Sequence, residues 1–170
     1  MKIFGIIILI MTSCAAGCFA SAGLKGKAEN MQQVRLMIEK LRLMIRYEAI
    51  EVSEISRRLA EDESLSGLCF LGELWKNAAL FYEGNETFCA CWRRAVETQA
   101  AFSGEERDLL YNIGDILGSC DCEGQLSALS LCGSEADRLA ALSREAYTAK
   151  GRLYRSLGAV AGALIAIIIV

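Results

Sequence analysis

The sequence contains no histidine and no proline. Without histidine the chain lacks the side chain that titrates most readily near neutral pH and most often binds transition metals, so hydrolase and metalloenzyme schemes built on imidazole are excluded. Without proline, no position removes a backbone donor or clashes with the preceding turn. Together with runs of Leu, Ala, Glu, Arg and Met, that absence favours long helices and predicts an all-α fold. Net charge is also scarce, at -3 with both signs mixed along the chain. No basic field is present of the kind that binds nucleic acid by neutralising phosphates. A phosphate-binding glycine loop is missing too: Gly114 and Gly118 flank a helical turn with no Gly-Lys-Ser or Gly-x-Gly pattern. These absences leave a protein with no expected catalytic residues, cofactor, metal or small-molecule substrate.

What is present begins with two apolar ends. From Ile3 to Leu24 no charged residue occurs, and as a helix this run reaches about 33 Å, enough to cross a bilayer core of roughly 30 Å. A cleaved signal peptide is the competing reading, since Lys2 is a minimal basic start and Ala15-Ala16-Gly17-Cys18 resembles the small-residue stretch before a lipoprotein cysteine. Ala15, however, stands where such a signal prefers a larger aliphatic residue, and Gly17 and Ser21 equally suit helix packing in lipid. At the other end, Leu157 to Val170 is uncharged and follows Lys150, Arg152 and Arg155. Counted from Leu153 with Arg155 snorkelling, it gives a short span of about 27 Å, with a tail buried in one leaflet as the alternative. Gly158 and Gly162, followed by Ala166, form a small-xxx-small face for close helix approach. Basic residues adjoin the inner ends of both runs, Lys25 and Lys27 on one side and Lys150, Arg152 and Arg155 on the other. That distribution places the middle of the chain in the cytoplasm.

The expected organisation is therefore an N-terminal anchor over 1–24, a helical domain over 25–152, and a C-terminal membrane segment over 153–170. The whole is a small bundle of about five to six helices with membrane helices at both ends. Met31, Val34, Ile38, Leu41, Ile45, Val52, Ile55 and Leu59 recur at three and four, as one helix or as two with a bend near Glu48. Leu71, Leu74, Trp75, Ala78 and Phe81 mark a helix stopping near Gly84-Asn85, and Thr87 to Gln99 predicts the next, with Asn85-Glu86-Thr87 as turn and cap. Ser103-Gly104-Glu105-Glu106 reads as a capping box for a helix carrying Leu109, Leu110, Ile113 and Leu117 and ending at Gly118. From Gln125 onward Leu126, Leu129, Leu139, Leu142, Ala146, Ala149 and Leu153 share a face. Gly133 is the expected interruption; unbroken, Gln125 to Val170 would be a rod of about 69 Å.

Eight cysteines suggest disulfides if the domain is exported, and small apolar core residues if it faces a reducing compartment. The pairs Cys89-x-Cys91 and Cys120-x-Cys122 have a spacing unlike a zinc knuckle. A thiol-dependent enzyme would need Cys120 or Cys122 ionised, against Asp121 and Glu123 beside them. The acidic run Glu61-Asp62-Glu63 reads as a solvated loop.

The order of features resembles stage III sporulation protein AB of endospore-forming bacteria. The most specific stretch is Leu117-Gly118-x-x-Asp121-x-x-x-Gln125, followed some thirty residues later by Tyr154-x-Ser156-Leu157-Gly158 and Gly162. Leu41, Ile45, Tyr47 and Trp92 fall where the family carries similar residues. Departures are Tyr47-Glu48 and Glu51-Val52, where the family shows tyrosine-glycine and proline-leucine, and the cysteines flanking Asp121. The resemblance implies a membrane component of the export-channel complex between mother cell and forespore, similar to F-type platform proteins of type II secretion. Its implied partners are other stage III sporulation membrane proteins and a cytoplasmic ATPase docked by the helical domain. Asp121 and Gln125 are the candidate polar contact site, with helix capping and packing as the plainer role. An exported, lipid-anchored helical protein with disulfides is the alternative to this whole reading.

Overall fold

The computed structural model describes residues 2–47, 52–77, 87–102, 104–119 and 122–169. Among these the protein is all-α, as expected, with six helices: α1 (Lys2–Tyr47), α2 (Val52–Glu61), α3 (Cys69–Lys76), α4 (Phe88–Glu97), α5 (Glu105–Ser119) and α6 (Cys122–Ile169), plus a 3-10 turn at Glu63–Leu65. The bend expected at Glu48 lies outside the described residues, as do Ala78, Phe81, Gly84-Asn85, Ser103, Cys120 and Asp121. Two compact units divide the chain, one formed by Met1–Ala28 with Ala141–Val170 and the other by Glu29–Ala140.

The unit Glu29–Ala140 holds the hydrophobic core. Met31, Val34, Ile38, Leu41 and Ile45 are all buried along α1, as the three-four spacing requires, and Met37 joins them. Ile55 and Leu59 of α2 and Leu71 and Leu74 of α3 complete that side. Aromatic packing centres on Trp92 of α4, fully buried, which meets Phe70 edge-on at 5.5 Å and Phe88 at 5.8 Å. Each such side chain contributes about 1.5–3 kcal/mol by leaving water.

Caps explain where the short helices begin. Thr87 precedes α4 and its Oγ1 accepts from the Ala90 amide at 3.3 Å, while the Thr98 hydroxyl at the far end donates to Ala95 O at 2.7 Å. Asp62 opens the 3-10 turn by accepting from the Ser64 amide and hydroxyl at 3.0 and 2.6 Å, and it also accepts from Lys40. Leu68, ahead of α3, offers no side-chain cap. Gln99 replaces it from a distance: its Oε1 accepts from the Phe70 amide at 3.2 Å and its Nε2 donates to Gly67 O at 2.7 Å.

Several expectations need correction. α3 stops at Lys76, where Asn77 turns its amide back to Glu73 O and Trp75 O, and Trp75 is exposed. Gly133 does not interrupt α6. The helix runs through it, and the backbone there lies against α1, where an added Cβ would touch Ile38 Cγ2 at 3.8 Å. The apolar face of α6 also turns differently, since Leu129, Cys132, Ala136 and Leu139 are buried whereas Leu142, Ala149 and Leu153 are exposed. The alternating steps of three and four from Leu129 through Cys132, Ala136 and Leu139 lead next to the buried Ser143, one residue past the exposed Leu142.

The other unit is built from the outer parts of α1 and α6. Gly17 and Ser21 of α1 and Gly151 of α6 are buried, and a Cβ on Gly151 would come within 3.1 Å of Ser21 Oγ. Large apolar side chains point outward instead: Ile8, Met11 and Phe19 on α1, Leu153, Leu157 and Val160 on α6. Among the described residues no helix is long and apolar enough to cross a membrane. Within the two apolar runs, the side chains of 3–7, 9, 10, 158, 159 and 162–170 fall outside that description.

Candidate functional site

The structure brings two of the candidate residues together. Gln125, in the first turns of α6, donates from Nε2 to Leu117 O at 3.3 Å, and Leu117 is buried. The bond satisfies one of the carbonyls left open at the end of α5. Beside it, Cys122 Sγ donates to Ile45 O at 3.5 Å near the end of α1. The junction thus ties three helix ends. Asp121 lies outside the described residues.

The remaining candidates stand apart from this junction. Tyr154 and Leu157 are on the exposed surface of α6 in the other unit, and Gly158 and Gly162 are helical. The small residues seen to pack there are Gly17, Ser21 and Gly151.

Thiols divide by location. All seven described cysteines are free; Cys91 and Cys132 are buried, whereas Cys18, Cys69 and Cys122 are exposed. Cysteine as core filler therefore holds for only part of the set, because a small side chain on the solvent side of α3 or α6 has no face to fill. Burial pushes the Cys89 thiol up, with Asp115 adding to the effect, and Cys89 Sγ donates to Gly114 O at 3.4 Å. Burial likewise raises Cys132. Both are kept in the neutral, unreactive form. Among the described residues no group of three or more Cys, Asp or Glu is placed to hold a metal ion.

Charged side chains mostly serve the scaffold. Arg57 donates to Glu54 at 2.6 Å and to Glu61 at 2.7 Å, Arg58 reaches Glu54 at 3.0 Å, and Arg93 pairs with Asp115 at 2.6 Å. The two guanidiniums hold the Glu54 carboxyl down at about 2, and Lys40, with the Ser64 hydroxyl, lowers Asp62.

Two surfaces of the unit Glu29–Ala140 do not fit that pattern. Between α1 and α6 an open groove of about 550 Å³ is lined by the apolar Leu43 and Leu126 together with Arg42, Arg46 and Glu39. Between α5 and α6 a second depression of about 500 Å³ is edged by Glu105, Asp108 and Glu135, with Leu131 standing out of it. Leu43 was missed in the sequence, although an apolar residue off the buried series of α1 and between two arginines is a signal for it. Gln33, whose Oε1 accepts from the Gly67 amide at 2.8 Å, and Gln99 carry no such signal, because a glutamine that bonds a distant backbone looks like any surface glutamine. Comparison with known proteins finds the family model of stage III sporulation protein AB matching residues 2–170. No curated protein and no solved structure matches the chain.

Proposed function

This chain belongs to the stage III sporulation protein AB family, and on that footing we propose that it is a non-enzymatic membrane component of the export-channel complex between mother cell and forespore. The observation that carries the membrane part is the inverted packing of the unit formed by residues 1–28 and 141–170. Small side chains, Gly17, Ser21 and Gly151, are buried, while Phe19 is 79% exposed and Met11 68%. In water the burial would run the other way, since large apolar groups gain most by leaving solvent. In lipid, where tails are as apolar as leucine, close approach of small residues holds helices together and large ones face outward. The uncharged runs Ile3 to Leu24 and Leu157 to Val170 agree with that surrounding.

The basic residues at the inner ends of both runs, Lys25, Lys27, Lys150, Arg152 and Arg155, then assign the unit Glu29–Ala140 to the cytoplasmic side. Its work is docking: a preformed helical body with exposed apolar grooves, offered to the complex's other membrane proteins and to the cytoplasmic ATPase. Nucleotide hydrolysis belongs to that partner. Washing membranes from sporulating cells with alkaline carbonate, solubilising them and isolating the tagged chain tests this. Retention in the washed membrane with co-isolation of the ATPase is expected. Release by carbonate, or isolation free of other stage III proteins, contradicts the reading.

A further inference from the structure

The two flanks of α6 in the unit Glu29–Ala140 carry surfaces of opposite sign. On the α1 flank, Arg42 makes no ion pair with a described residue, and Arg46 only lies over the exposed Tyr47 ring at 5.9 Å. Glu39 also lines the groove, and its neighbour Arg35 is held by Asp137 at 2.5 Å, so Glu39 offsets one of the two cations and the groove stays net positive. Leu43 in that groove is 57% exposed. On the α5 flank, Arg138 bridges Glu105 at 2.5 Å and Glu135 at 2.6 Å. One cation against those two acids and Asp108 leaves this flank acidic. Leu131 projects from it, 73% exposed.

We propose that these flanks meet between copies of this chain, with Leu131 of one copy seated on Leu43 and Leu126 of the next and the acids around Leu131 facing Arg42 and Arg46. Three features select a second copy as occupant. Each flank exposes a leucine within a charged frame, the polar-rimmed apolar arrangement of an interaction site. The frames have complementary sign, so correct encounters are steered while groove-to-groove contact is repelled. At about 100° per residue, Leu126 and Leu131 point roughly 140° apart around α6, so one copy can use both flanks at once. Because the two patches differ, the contact is head-to-tail, and repeating it closes a ring or extends a filament instead of stopping at a symmetric dimer. This assembly goes beyond the membrane reading and does not depend on it.

The test is light scattering coupled to size exclusion on the full chain in mild non-ionic detergent, over a range of concentration and salt. Wild type is expected to run as a multiple of one chain that shrinks as salt screens the contact. Leu43→Asp and Leu131→Asp, both at exposed positions and checked for retained helicity, should each run as a single chain. Mixed in equal amounts they should give a one-to-one pair, since one intact junction remains. Arg42→Glu should dissociate the assembly, and Arg42→Glu with Asp108→Arg in the same chain should restore it. A wild-type chain that is monomeric at every concentration overturns the proposal. So does an assembly that survives both aspartate variants, as association through the apolar ends alone would.

Discussion

The indole of Trp92 lies directly against Gly114, so close that a Cβ added at Gly114 would fall 2.4 Å from Trp92 Cδ1 and 2.7 Å from Cγ. The ring has nowhere to move, because its Nε1 donates to Leu110 O at 2.7 Å and its other edge meets Phe70. This contact sets how near α4 and α5 approach.

Gly114→Ala should therefore destabilise the protein, although alanine is the better helix former by about 1 kcal/mol. Overpacking a rigid core contact costs about 1–3 kcal/mol, so with the helix-propensity gain subtracted a net loss of up to about 2 kcal/mol is expected. Chemical denaturation followed by circular dichroism measures it. An unchanged or higher midpoint would show that α4 and α5 can part at no cost.

Gln99→Ala removes both ends of a bridge, leaving the Phe70 amide and Gly67 O without their partner. A buried group stripped of its hydrogen bond costs about 1–3 kcal/mol, so a loss of at least about 2 kcal/mol is expected. Hydrogen exchange should report faster opening at the start of α3. Uniform protection across α3 would mean that water replaces the bridge.

Acid should weaken the fold through Glu54 and Asp62, both held below the usual carboxylate range by their cations. Depressed values in the folded state mean that the contribution is complete above the unfolded pKa of about 4 and is lost as pH falls towards about 2. Melts taken from pH 7 to pH 2 should be flat above about pH 5 and fall below about pH 4. Lys40→Met should lower stability at pH 7 by less than about 1 kcal/mol and make the acid decline shallower. A decline that begins near pH 6 would point to other groups.

Periodicity made most of the helical body legible. The buried series Met31 to Leu59, the helix around Trp92 and the one carrying Leu109 to Leu117 each follow from spacing alone. The core face of α6 was misread because Leu142 and Leu153 look like core residues by type. Burial there is decided by the line through Leu129, Cys132, Ala136 and Leu139, which includes two small residues. The absence of proline correctly announced long helices, yet Gly133 carried too much weight as a break; one glycine costs about 1 kcal/mol in a helix, which packing offsets. Gln125 was visible as a motif residue, but its bond to Leu117 O depends on how α5 and α6 meet, and that geometry is tertiary. The partnership of Gln99 with Gly67 and Phe70 was invisible for the same reason.

The central claim, an anchored chain whose helical body faces the cytoplasm, is tested most directly by its own exposed thiols. Two variants, one retaining only Cys69 and one only Cys18, would be challenged with a membrane-impermeant maleimide in intact cells, after lysis and after detergent. Cys69, exposed on α3, should stay unlabelled in intact cells and react on lysis, whereas Cys18, exposed on α1 in the other unit, should react only when detergent removes the lipid. Labelling of Cys69 in intact cells would contradict the account, placing the helical body outside and favouring an exported protein.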